Sequence, residues 1–306
     1  MTDDSRMTSA AKALLFQIGH QLDRNVFPVV TNGGFVLPSE SADSPQALGK
    51  EYHHESATRP RTQCEPRTLD AWRRPSTGSA TSARGPWPAG EATSLVCGDV
   101  GSADEDALTT VVGAYPDTRA WKQEEGSWLL VESSLLPKLD RRATFLLAIS
   151  EAKRAVRSWA FWWIPAIGAN WIGPRHTNFP DGSICAFDPL DGTWAFGDPL
   201  VELLDLYSVW AMRHLHLEVF GRWPGPQSVA HAYERMLEVR DDEYCGCNHF
   251  DRLYAHCCEA HDRRRSVIAE AVQFGFFSNW AIRQPPLAIL RFISGGGQPP
   301  KISEFL

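Results

Sequence analysis

A chain of 306 residues with 43% hydrophobic and 22% charged side chains is long enough to bury one sizeable core with appendages, or two small ones. Its formal charge of −7 argues against a dedicated nucleic-acid binder, which would show a basic face; the one concentrated basic run, Arg263 to Arg265, reads as solvated helix surface. No apolar stretch reaches the ~18 residues of a membrane span. The N-terminus shows no secretory pattern, so seven cysteines point to reduced thiols in a cytoplasm.

Residues 1–95 are rich in Ser, Pro, Thr, Gly and Arg and lack sustained periodicity, apart from a possible helix at Ala10 to Leu22. Such composition buries too little apolar area to offset its ordering entropy, so this segment is expected to be mostly disordered and to make no core contacts. Cys64 within it reads as incidental. From Ser102 the pattern changes: "SADE" forms a capping box, with Glu105 three residues after Ser102, opening a short helix through Val112. Three strand-like runs follow, at 127–133, 143–149 and 155–164, punctuated by Pro137, Pro165 and Gly168, as an antiparallel meander requires. Trp159, Trp162 and Trp163 are expected to pack in the core and on the sheet faces.

Next comes "HTNFPDGSIC", residues 176–185. A nucleophilic cysteine needs an accessible, ionisable sulfur and a donor for the charge that develops on the attacked carbonyl. Asn178 lies seven residues before Cys185 across the turn "FPDG", and Gly182 supplies the corner that folds one towards the other. His176 reads as holding the loop by hydrogen bonding rather than as a base. Taken alone, these residues equally suit a small buried cysteine beside a turn.

Asp198 and Pro199 read as N-cap and first helical residue of a long helix that stops at Gly221; being apolar on most sides, it is expected to be buried on more than one face. "SVAHAYERMLEVR" then reads as an amphipathic helix. "CGCNHFDRLYAHCC" holds Cys245, Cys247, Cys257 and Cys258 as two close pairs, a spacing that can bring four thiolates to the corners of a tetrahedron around a structural Zn²⁺. His249, His256 and His261 are reserve ligands; thiols packed in a core and a redox dithiol are the alternatives. "RRRSVIAEAVQFGFFSNWAI" reads as helical, and the end, "QPPLAILRFISGGGQPPKISEFL", as extended and proline-punctuated. The sum is an α+β fold with helices grouped at the two ends. Four regions are expected: residues 1–95, a domain at 96–240, the cysteine cluster at 241–262 and a tail at 263–306.

His176, Asn178, Gly182, Ile184, Cys185 and Trp194, followed by a long helix, resemble the active-site segment of ubiquitin-conjugating enzymes, and the short helix and meander before them match that family's layout. The segment is most similar to divergent bacterial members found in phage-defence and ubiquitin-like operons, where phrases like "DGSIC" and a Trp-Pro-Gly element recur. It departs from the family in Thr177, where the triad has proline, in Ala186, and in a histidine-to-cysteine spacing one residue shorter than the eukaryotic pattern. The cysteine cluster is similar to the small zinc motif at the C-terminus of the protein-secretion ATPase SecA.

The resemblance implies a thioester on Cys185, charged by an activating enzyme with a ubiquitin-like protein and discharged onto a lysine of a protein substrate. Asn178 would stabilise the oxyanion, while Asp188 and Asp191 would orient or deprotonate the lysine, unless they serve only as turn residues in "DPLDG". A non-catalytic adaptor built on the same fold, with the zinc knuckle as its docking surface, is the alternative. A Cys/His hydrolase suffers from the lack of a base and orienter at a recognisable spacing.

Overall fold

A computed structural model describes residues 7–31, 34–36, 102–135, 141–164, 168–187, 192–247 and 251–306. These belong to one unit, Met1–Pro38 with Pro86–Leu306. Its centre is a five-stranded antiparallel meander of β3 (Thr118–Gln123), β4 (Gly126–Ser134), β5 (Arg142–Ser150), β6 (Ala155–Ile164) and β7 (Gly168–Trp171), hydrogen-bonded in sequence order. The three expected runs are β4, β5 and β6, within one residue at each end. β3 and β7 are additions: β3 is half-exposed at one edge and β7 is short at the other, so neither carries an apolar run.

Alternation along the strands sends side chains to opposite faces, and here both faces are covered. Leu129, Val131, Phe145, Leu147, Ala160 and Trp162 face one side, where they join a core with α1 (Ser9–Asp23), α2 (Ser102–Ala114) and α3 (Leu200–Phe220). Trp128, Leu130, Leu146, Ala148, Trp159 and Phe161 face the other, and pack on Ile289, Phe292 and Ile293 of α7 (Leu287–Gly295) together with Ile302 and Phe305. Burial on both faces explains why the strands read as continuous apolar runs.

Helix α7 corrects the expectation of an extended C-terminal end. Nine residues between proline and glycine clusters carry little helical signal of their own, and such a short helix persists because it buries a face against the sheet. The expectation that residues 1–95 make no core contacts fails at α1. Thr8 caps this helix by accepting from the Ala11 amide, and Leu15, Ile18 and Leu22 are fully buried against α3. The short strands β1 (Val29–Thr31) and β2 (Gly34–Val36) follow, with Phe35 in the same core. Residues 37–95 of that segment, Cys64 among them, lie outside the described residues, as does Cys97.

Helix α3 is buried on several faces and ends at Gly221 in a left-handed conformation (φ 67°), which glycine adopts without strain. It begins one residue later than expected. Pro199 is its N-cap, and Asp198 instead accepts from the Ala195 amide in the preceding turn. The amphipathic stretch after it contracts to α4 (Ala232–Glu238), then come α5 (Glu259–Asp262) and α6 (Val267–Phe277). Arg263 to Arg265 lie exposed between these last two, with Arg263 paired to Glu259 and Arg265 to Glu270. Helix α6 turns Phe274 inward onto Phe179, and leaves Ile268, Val272 and Phe276, at i, i+4 and i+8, in solvent.

Candidate functional site

The 176–185 segment is a tight hairpin laid across β6. Thr177 bridges Ile184 in antiparallel fashion, and the Ile184 amide donates to the Ser158 carbonyl (2.7 Å). Inside the hairpin, the Asn178 amide donates to the Ser183 carbonyl (2.7 Å) and the Cys185 amide to the His176 carbonyl (3.1 Å). Asp181 closes the turn by accepting from both the amide and the hydroxyl of Ser183, and its other carboxylate oxygen pairs with Arg157 at 3.0 Å. Gly182 sits at the corner with φ 62°. A Cβ there would come within 2.9 Å of the Gln284 backbone and 2.8 Å of Trp171, so both conformation and space exclude a side chain.

Cys185 ends this hairpin with its side chain exposed. The hairpin register sets His176 opposite Cys185 and Asn178 opposite Ser183. The Asn178 amide nitrogen donates to the Ile184 carbonyl (2.9 Å) and to Ser183 Oγ (3.3 Å), so its two hydrogens brace the hairpin itself. Trp194 is buried and donates to the Pro199 carbonyl, which ties the residues after the cysteine to the start of α3. Asp188 and Asp191 lie outside the described residues. Tyr207, on α3, carries no sequence signal of a role here: burial raises its phenol, the neighbouring Ser158 opposes that, and the nearby Cys185 adds to it.

His176 adopts φ 51°, and its Nε2 meets Gln227 Oε1 at 3.0 Å while its ring lies 4.2 Å from that of Trp223. Its carbonyl accepts from Trp210 Nε1 as well as from Cys185. Burial, with the Arg175 guanidinium beside it, holds its pKa well below the usual histidine range. The imidazole is therefore neutral at pH 7 and fixes the loop. Next to it, His214 lies between a tilted Trp210 ring and an edge-on Trp223 ring; burial pushes its pKa down to about 3, against a hydrogen bond to the Arg175 backbone.

A pH dependence follows from His214. The unfolded chain takes up this proton near pH 6.5 and the folded chain only near pH 3, so the stabilisation is complete above 6.5 and is lost as pH falls towards 3. Between those limits each such histidine removes about 1.4 kcal/mol of unfolding free energy per pH unit. Denaturant titrations from pH 7 to pH 4 are expected to show this slope and to show it reduced in His214→Phe, which keeps a ring in the stack. An unchanged slope in the variant would assign the acid sensitivity elsewhere.

The cysteine cluster forms a second centre. Tyr244 bridges Leu253, the Cys245 amide donates to the Arg252 carbonyl, and Gly246 turns the chain at φ 74° so that its carbonyl accepts from Val229. Cys258 opens α5, whose Asp262 is fully buried and held by Arg235 through two hydrogen bonds of 2.8 and 3.0 Å. The four sulfurs lie within 4.8 Å of one another, with Cys247–Cys257 at 3.5 Å and Cys257–Cys258 at 3.9 Å. Four thiolates about 2.3 Å from a tetrahedral metal stand about 3.8 Å apart, so this set has the dimensions to hold a metal ion. Neither His256 nor His261 joins the group. Burial and the adjoining thiols push the Cys257 pKa up to about 11, a cost that a divalent cation at the centre reverses.

Between the two centres lies a buried polar cluster with no sequence signal. Arg175 pairs with Glu243, which is fully buried and also accepts from the Trp223 amide at 2.6 Å. Gln227 accepts from Arg175 (2.7 Å), meets His176, and donates to the Tyr244 carbonyl at 2.6 Å. Comparison of the chain with protein-family models, with curated proteins and with solved structures yields no match. Among the described residues no helix is long and apolar enough to cross a membrane.

Proposed function

We propose that this chain is an acyl carrier of the ubiquitin-conjugating type, with a structural Zn²⁺ held by Cys245, Cys247, Cys257 and Cys258. The observation that carries the reading is the exposed Cys185 at the end of a hairpin fixed by β6, α3 and Trp210, in a chain that runs helix, meander, cysteine, long helix. The Cys185 thiolate attacks the thioester joining a ubiquitin-like protein to its activating enzyme. A tetrahedral intermediate forms, and the activating enzyme's thiolate leaves. A lysine amine of the target then attacks the new thioester, the Cys185 thiolate departs, and the amine gives up its proton as the amide forms. Asn178 can serve the oxyanion in that second step only by turning its amide away from the Ile184 carbonyl.

With a matching activating enzyme, ATP and ubiquitin-like protein, the chain is expected to form an adduct that thiol reductants release. Cys185→Ala abolishes it, whereas Cys64→Ala and Cys97→Ala leave it intact. Asn178→Ala lowers transfer to lysine by ~10²–10³ with charging less affected, as loss of one oxyanion donor does. An adduct that survives Cys185→Ala would remove the carrier role from this residue. In that case the adaptor reading takes its place, favoured by the apolar row Ile268, Val272 and Phe276 that α6 presents to solvent.

A further inference from the structure

The four-cysteine cluster and the Cys185 hairpin are joined through three buried side chains, Glu243, Arg175 and Gln227. Glu243 and Tyr244 immediately precede Cys245, so their backbone positions follow the state of the cluster. Glu243 takes the Arg175 guanidinium, and Arg175 is the residue before His176. Gln227 ties the Tyr244 carbonyl to both Arg175 and His176. The His176 carbonyl in turn accepts the Cys185 amide. Cys245 and Cys185 are thus connected by a short series of hydrogen bonds, most of them between groups withdrawn from water.

We infer that Gln227 and Glu243 are positioning residues that couple metal loading of the four-cysteine cluster to the conformation of the Cys185 hairpin. The physical basis is the cost of leaving any of these groups unpaired. Glu243 and Arg175 are 0% and 6% exposed at the side chain, so a shift of the 243–245 backbone strands a buried charge unless the 175–176 backbone moves with it. The His176 carbonyl is held by Trp210 and Cys185 and its ring packs on Trp223, while its Nε2 meets Gln227, so the left-handed turn answers to Gln227 on one side and to the hairpin on the other. Metal-bound and metal-free knuckles therefore bias two arrangements of the hairpin, and by reciprocity the hairpin biases metal affinity. In chemical terms the cluster makes the Cys185 hairpin responsive to zinc supply. The coupling rests on the zinc site proposed above, and its consequence for acyl transfer rests on the carrier role; the two fail separately.

Hydrogen exchange read by mass spectrometry on the full chain tests it, with the chain loaded with Zn²⁺ and then stripped by a chelator. Stripping is expected to lower protection of the Asn178, Gly182, Ile184 and Cys185 amides by about fivefold or more, with β4 and β5 unchanged. In Gln227→Met the same amides lose protection while zinc is still bound, and stripping adds a smaller further loss, carried by the remaining Glu243–Arg175 pair. That non-additivity separates coupling from a merely structural role. If Gln227→Met does not fold, Gln227→Asn, which keeps the amide but withdraws it by one methylene, replaces it, and the stripping comparison on the unaltered chain stands alone.

Hairpin protection indifferent to stripping while residues 243–258 exchange faster overturns the inference, as does an equal stripping effect in the variant. No arm uses conjugation. Coupled exchange in a chain that never charges Cys185 keeps the coupling and loses the carrier, and the reverse pattern does the opposite.

Discussion

Leu15→Ala and Ile18→Ala each lower the unfolding free energy by about 2–5 kcal/mol, and together by roughly twice that, enough to unfold a typical domain at 37 °C. Both side chains are 0% exposed in the main core, and α1 is held at its far end as well. The Asp23 carboxylate takes Arg222 and the Gly225 amide, and the Asp23 carbonyl accepts from Tyr244. Gly19 lets the helix approach α3 so closely that a Cβ would lie 2.3 Å from the His216 imidazole. Denaturant unfolding of the full chain measures the effect, with Phe16→Ala, at a position 59% exposed, as the control. Losses below about 1 kcal/mol for both buried residues would mean that α1 does not pack as described.

Metal removal produces the second large effect. Purified chain is expected to carry about one zinc, as one four-thiolate site requires. Around the cluster the apolar support is small: Val229, Val239, Cys245 and Tyr254 form a satellite core separate from both sheet faces. Structural zinc binding supplies about 10–16 kcal/mol of folding free energy in isolated fingers, at least as much as the ~6–12 kcal/mol from burying four such side chains. Chelation, or Cys257→Ser with Cys258→Ser, should therefore unfold α4, α5 and the 243–258 turns while the sheet stays folded. Amide exchange or limited proteolysis locates the loss. A metal-free chain with an unchanged melting profile would show that the four thiols pack without an ion.

Several features of the chain follow from local chemistry and are legible in the sequence itself. β4, β5 and β6 are apolar runs bounded by turn residues, and strand length separates them from helices. α3 ends at Gly221 because only a left-handed residue closes the helix there, and the spacing of Cys245, Cys247, Cys257 and Cys258 matches a four-ligand turn. The hairpin at 176–185 is encoded by Asp181 and Gly182, whose turn preferences act over a few residues. Tertiary structure alone decides what covers these elements. The α1 pattern is visible as a possible helix, but its burial depends on α3, far along the chain. α7 exists because a second apolar sheet face needs a cover, a demand located in β4–β6 and not in α7 itself. Arg175, Gln227 and Glu243 carry no signal in the sequence, because whether a polar side chain is buried depends on partners 52 and 68 positions away that only the folded chain brings within hydrogen-bonding reach.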